Sequence, residues 1–165
     1  MSLLNNLVFE MMKYYRNDPK QINHFIKVHA YAKLIAEEEY LDKDLQLIVE
    51  TVAYIHDIGI KNALAKYNSS VGKLQEKEGP DEARKMLTAL GYQENVIERV
   101  CYIVAHHHTF EVIDGIDFQI LVEADLLTNY YEDNLPKDNI LYSYDKIFRT
   151  ETGKRIAAEL FNIEN

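Results

Sequence analysis

Cysteine is nearly absent. Cys101 is the single one in 165 residues, so no internal disulfide can form, which fits a reducing cytoplasm. It sits in the apolar run VCYIVA and is expected to be a buried, inert thiol. Proline is scarce, at three, and 47% of the residues are hydrophobic, which excludes broad disorder. No apolar run reaches the roughly 18 residues of a membrane span, so no membrane partner is expected. The opening segment MSLLNNLVFEMMKYYRNDPK lacks a basic stretch followed by a long apolar block, so it does not read as a signal peptide. No block of Lys and Arg occurs and the net charge is −9, which argues against long nucleic acid as a partner. A small phosphorylated substrate stays compatible with that charge if a metal supplies the positive counterpart. The HExxH, GxSxG and GxxxxGK[ST] patterns and paired-cysteine zinc motifs are missing as well.

What is present is helical periodicity. Leu3, Leu4, Leu7, Val8, Met11 and Met12 recur at helical spacing. Asp18-Pro19 is a helix start, with Asp as the cap and Pro in the first turn. The helix it opens carries Ile22, Phe25, Ile26, Ala32, Ile35 and Ala36 to about Tyr40. Asp42 caps KDLQLIVETVAYIHDI, for which Gly59 is the expected stop. Residues 60–79 are polar and carry two glycines and two serines, and are expected to be mainly a long loop. A helix is expected from Pro80 to Gly91, another from Gln93 to about His107, one over 117–131, and two more over about 138–149 and 151–162, after the break at Pro136. Alternation of period two is scarce. The expectation is one all-α domain spanning 1–165, a helical bundle.

The six histidines are His24, His29, His56, His106, His107 and His108. His24 shares one helical stripe with Val28, Ala32 and Ile35, so it faces other helices. His29 lies about 140° further round and is expected to be a packing or surface residue. His56 and Asp57 are adjacent. Neighbours on a helix diverge by about 100°, so the pair can serve one ion only near a helix end. Glu123 and Asp125 are about 200° apart, so at most one is expected to face inward. The apolar neighbours favour Asp125, with a buried Asp–Lys or Asp–Tyr pair as the alternative to a metal. Two imidazoles and two carboxylates suit Mn²⁺, Fe²⁺, Co²⁺, Ni²⁺ or Zn²⁺, with Mg²⁺ a further candidate.

A histidine in NHFIKVHAYAKLIA, a His-Asp doublet in AYIHDIG and a distal aspartate in EADLL, in that order on helices, resemble the HD superfamily of metal-dependent phosphohydrolases. The resemblance covers roughly residues 20–132. It implies an α-helical bundle whose metal ligands are His24, His56, Asp57 and Asp125, with Asp57 also able to bridge to a second ion. It further implies hydrolysis of a phosphate ester or anhydride of a small metabolite, a nucleotide by family analogy. Relatives with two metals use three further histidines. His106 and His107 match two of these, with His106 a candidate catalytic group beside Asp57 and His108 the expected outsider. The third position is Gln75, which implies an altered second site, with Glu76 and Glu78 as substitutes. Lys61, Lys66, Ser69, Ser70 and Lys73 are candidates for holding phosphate oxygens, with Arg84 behind them and a solvated loop as the alternative. A di-iron oxygenase and a non-catalytic metal- or nucleotide-binding sensor are the rival readings. A homodimer contact or a cover over the pocket is compatible with the tyrosines at 130, 131, 142 and 144, for which ordinary packing is the simpler expectation.

Overall fold

Three polar side chains set the first helix starts in the computed structural model, which describes residues 2–163. Ser2 accepts from the Asn5 amide and begins α1 (Leu3–Tyr14). Asp18 accepts from Gln21 N at 3.0 Å and begins α2 (Pro19–Glu38). Asp42 accepts from Asp44 N and Leu45 N and begins α3 (Lys43–Ile55). Each cap answers backbone donors that the first helical turn cannot, worth about 1 kcal/mol. There follow α4 (Ile60–Tyr67), α5 (Gly72–Ala89), α6 (Glu94–Val104), a short 3-10 turn (Phe110–Val112), α7 (Ile116–Glu132), α8 (Lys137–Ile147) and α9 (Glu151–Phe161). Among the described residues there is no strand, and no helix is long and apolar enough to cross a membrane.

Helix α7 runs through the middle. It packs against α2 and α3 on one side and α9 on another, so every residue from Asp117 to Asp125 is buried. The core joins Phe25, Val28, Ala32 and Ile35 of α2 to Val49, Val52 and Ala53 of α3, and both to Phe118 and Leu121 of α7. Each large apolar side chain removed from water contributes about 1.5–3 kcal/mol. Cys101 is buried, donates to Pro80 O, and burial pushes its thiol pKa up, as an inert thiol requires. Of the C-terminal tyrosines, Tyr130 is core, while Tyr131 and Tyr142 stand exposed.

Three expectations fail here. Residues 60–79 are not a long loop: they form α4 and the first part of α5, and only 68–71 link them. Apolar periodicity is missing from this stretch because α5 buries Gln75, Glu76 and Glu78 there, polar side chains with polar partners. Pro80 lies inside α5 and does not start it. Gly59 does not stop α3, which ends at Ile55; its backbone is right-handed, at φ −71° and ψ −17°. What Gly59 provides is room, since a Cβ there would lie 2.7 Å from Gly79 N and against Gln75 O. The start of α4 and the middle of α5 therefore touch backbone to backbone.

Candidate metal centre

The His-Asp doublet occupies the turn between α3 and α4. His56 caps α3, Ile58 N bonds Ile55 O at 3.0 Å, and Ile60 N bonds Asp57 O at 3.0 Å. Tyr15 OH, from the residue that caps the end of α1, donates to Asp57 O at 3.0 Å and holds the turn against the core. Leaving the helix before the doublet lets two adjacent side chains reach one point. His24 comes in from α2 on its buried stripe, and Asp125 from the middle of α7.

The donor atoms converge. His24 Nε2 lies 3.2 Å from His56 Nε2. Asp125 Oδ1 lies 3.3 Å from the first and 3.4 Å from the second. Asp57 Oδ2 lies 3.6 Å from each. Ligands held at about 2.0–2.2 Å around one tetrahedral ion are themselves about 3.3–3.6 Å apart. On its other oxygen, Asp57 Oδ1 faces His107 Nε2 at 3.0 Å, and His108 Nε2 stands 3.8 Å away. His24, His56, Asp57, His107 and His108 thus form two overlapping groups able to hold a metal ion, with Asp57 common to both.

Hydrogen bonding on the far side of each ring decides what the ring offers. His56 Nδ1 bonds Ala53 O at 3.1 Å, His107 Nδ1 bonds Val104 O at 2.9 Å, and His24 Nδ1 bonds Glu132 Oε2 at 2.8 Å. Carbonyl and carboxylate oxygens only accept, so all three Nδ1 atoms carry the proton. Each neutral ring then presents an Nε2 lone pair, and two such lone pairs meet two carboxylates. This is a set of acceptors facing one another in a buried place. It needs positive charge, and a divalent cation fits the donor set. A proton is the other answer. Burial lowers the His24 pKa, but the Asp125 hydrogen bond and the charges of Asp125 and Asp57 outweigh it and push it up to about 9. Burial likewise works to raise both carboxyls, yet the neighbouring imidazoles, His56 foremost, hold Asp57 and Asp125 below the usual carboxylate range.

Not every expected residue joins. His106 donates its Nδ1–H to Tyr102 O at 2.7 Å and lies over the Tyr102 ring, away from Asp57. His108, the expected outsider, takes its place beside His107. The reason is that α6 ends at Val104, before the histidines, so helical angles do not apply to them. Gln75 does reach this second group. Its Nε2 donates to Ser70 O at 2.6 Å, which turns its Oε1 to His108 Nε2 at 3.1 Å. Burial and the nearby His107 push the His108 pKa down to about 4, so His108 is neutral and gives its Nε2–H to Gln75. Glu76 is occupied by His108 N and Thr109 Oγ1, and Glu78 by Lys66 and Tyr67, so neither replaces a ligand.

The candidate phosphate contacts scatter. Lys61 bonds Tyr14 O, Lys66 pairs with Glu78, and Lys73 bonds Thr109 Oγ1. Ser69 and Ser70 lie in the link between α4 and α5, and Arg84 pairs with Glu94. The three lysines thus face three different acceptors and do not form one cradle. His29 stacks on Tyr54 and bonds Glu50 at 2.8 Å, a packing role. The expectation that only one of Glu123 and Asp125 faces inward fails, because α7 is enclosed on both sides and both are buried. Tyr15, Asn129, which donates to Asp125 Oδ1 at 2.9 Å, and Glu132 lie outside the set the sequence predicts. The Glu132 signal was available: seven residues beyond Asp125, it falls on the same helical face.

A sequence model of the HD domain matches residues 22–150, so the chain belongs to the HD domain family. Among solved structures, the fold resembles a predicted HD superfamily hydrolase from an uncultured Thermotogales bacterium, with a TM-score of 0.67 and 22% identity over 97% of this chain and 83% of that one. No curated protein matches the chain.

Proposed function

We propose that the protein is a metal-dependent phosphohydrolase that cleaves a phosphate ester or anhydride of a small phosphorylated metabolite, a nucleotide being the first class to test. One observation carries the reading: His24, His56, Asp57 and Asp125 turn acceptor atoms toward one another at 3.2–3.6 Å, a buried arrangement suited to a divalent cation. These four residues would hold the ion, with Mn²⁺, Fe²⁺, Co²⁺, Ni²⁺ and Zn²⁺ the favoured identities for mixed imidazole and carboxylate donors. Such an ion supplies Lewis acidity toward a phosphoryl oxygen and toward water. Asp57 is the chain's own base: its carboxyl is held ionised, Oδ2 faces the imidazole pair, and Oδ1, which faces His107, would orient a water and take its proton. His107, its Nδ1–H held by Val104 O, sets its Nε2 3.0 Å from Oδ1 and donates to it when the ring is protonated. The Thermotogales protein of the same fold is a predicted hydrolase, which supports this reading. A di-iron oxygenase is disfavoured by Gln75, which takes up His108 Nε2–H and so competes with a second ion.

The test is phosphate release from a panel of nucleotides and sugar phosphates with Mn²⁺, Co²⁺, Ni²⁺, Mg²⁺ and Zn²⁺ in turn. Metal-dependent release by the wild type, absent in Asp57→Ala, is the expected result. Equal release by the two proteins overturns the assignment. Metal binding with no release from any substrate moves the reading to a sensor.

A further inference from the structure

The histidines of the site are oriented by two different devices. His56 and His107 bond carbonyls three residues back in their own chain segments, Ala53 O and Val104 O. Their orientation is therefore local and comes with the helix end. His24 has no such partner. Its Nδ1–H donates to Glu132 Oε2 at 2.8 Å, and Glu132 belongs to another helix. The Glu132 carboxylate is itself held: its second oxygen pairs with Lys27, which lies three residues from His24 on α2. Asp125 and Glu132 are seven residues apart, two helical turns, and so share the face of α7 that meets α2. The side chain of Glu132 is 13% exposed and that of His24 6%, so water is a poor substitute for either partner.

We infer that Glu132 is a positioning residue for His24: it fixes the ring plane and the Nδ1–H tautomer, and its negative charge makes Nε2 a better donor to a metal ion. The inference rests on the metal-binding part of the proposed function. Carbonyl oxygens can orient His56 and His107, but they bring no net charge. Among the described residues, His24 alone of these three has a carboxylate–imidazole pair behind the donor atom, the arrangement that raises ligand basicity. Lys27 keeps the carboxylate in place and moderates its charge.

The test is calorimetric titration of Mn²⁺ into wild type, Glu132→Gln, Glu132→Ala and Asp57→Ala, together with the downfield proton resonance of His24 Nδ1–H. Glu132→Ala is expected to weaken Mn²⁺ binding about 10–100-fold. Glu132→Gln, which keeps an acceptor but loses the charge, is expected to fall between Ala and wild type. Both should keep the helical circular dichroism of the wild type. Binding by both Glu132 variants within about twofold of wild type overturns the inference, and if the Ala variant does not fold, Glu132→Gln decides alone. Failure of the metal reading looks different: the wild type itself then takes up no Mn²⁺. In that case the resonance decides. Its presence in wild type and loss in Glu132→Gln or Glu132→Ala supports the orienting role, and its persistence in both overturns it.

Discussion

Glu123 and Asp125 stand two residues apart on α7, both carboxylates, both buried, at 0% and 7% exposure, and they meet opposite surroundings. Glu123 is met by donors. Gln119 Nε2, Arg149 N and Thr150 N reach its Oε1 at 2.7, 2.6 and 3.0 Å, and Thr150 Oγ1 bonds the other oxygen. Thr150 Oγ1 in turn accepts from Gly153 N, so the carboxylate and the threonine together cap α9. The negative charge sits at a helix start, where the dipole favours it. Asp125 has one donor, Asn129, and otherwise faces the acceptor nitrogens of His24 and His56. The first carboxylate is complete within the protein. The second is complete only with added positive charge. Burial of a carboxylate is thus not a signal of function; the polarity of its partners is.

The largest effect is expected from Asp57→Ala, which removes the base beside the Asp125 cluster: metal-dependent phosphate release should drop by about 10²–10⁴-fold with the helical spectrum unchanged. Glu123→Ala should do the reverse. It strands buried amides and should lower the unfolding free energy by about 3 kcal/mol in urea titration, while the metal content of the folded fraction stays at the wild-type value. Gly153→Ala is a milder attack on the same cap. Its methyl would collide with the Glu123 carboxylate and Thr150 Oγ1, so a loss of about 1–3 kcal/mol is expected and again no change in metal. The smallest effect belongs to His29→Ala, which removes the ring stacked on Tyr54 and should cost about 1 kcal/mol without altering metal stoichiometry. A matching loss of metal in His29→Ala would show that the two histidines of α2 had been assigned in the wrong order.

Much of this was legible in the residues. Asp18-Pro19 and Asp42 announced their helices, and the stripe of His24 with Val28, Ala32 and Ile35 did point inward. Three things were hidden. The 60–79 stretch looked like loop because the buried face of α5 there is polar, so hydrophobic period carried no signal. The choice between His106, His107 and His108 depended on where α6 ended, and a shift of a few residues in a helix terminus re-aims every side chain after it. Glu123 looked like an outward residue because a helical wheel assumes one solvent face, and α7 has almost none between Asp117 and Asp125.

The most direct measurement is the affinity and stoichiometry of Mn²⁺ for wild type, Asp125→Asn and Glu123→Gln, titrated side by side. The amide of Asp125→Asn removes the negative charge from the acceptor cluster, whereas Glu123→Gln alters the donor-filled site on the same helix. Stoichiometric binding by wild type, a loss of more than about 100-fold in Asp125→Asn, and wild-type affinity in folded Glu123→Gln are expected. Equal binding by wild type and Asp125→Asn would contradict the assignment, because the cluster at His24, His56, Asp57 and Asp125 would then not be where the ion sits.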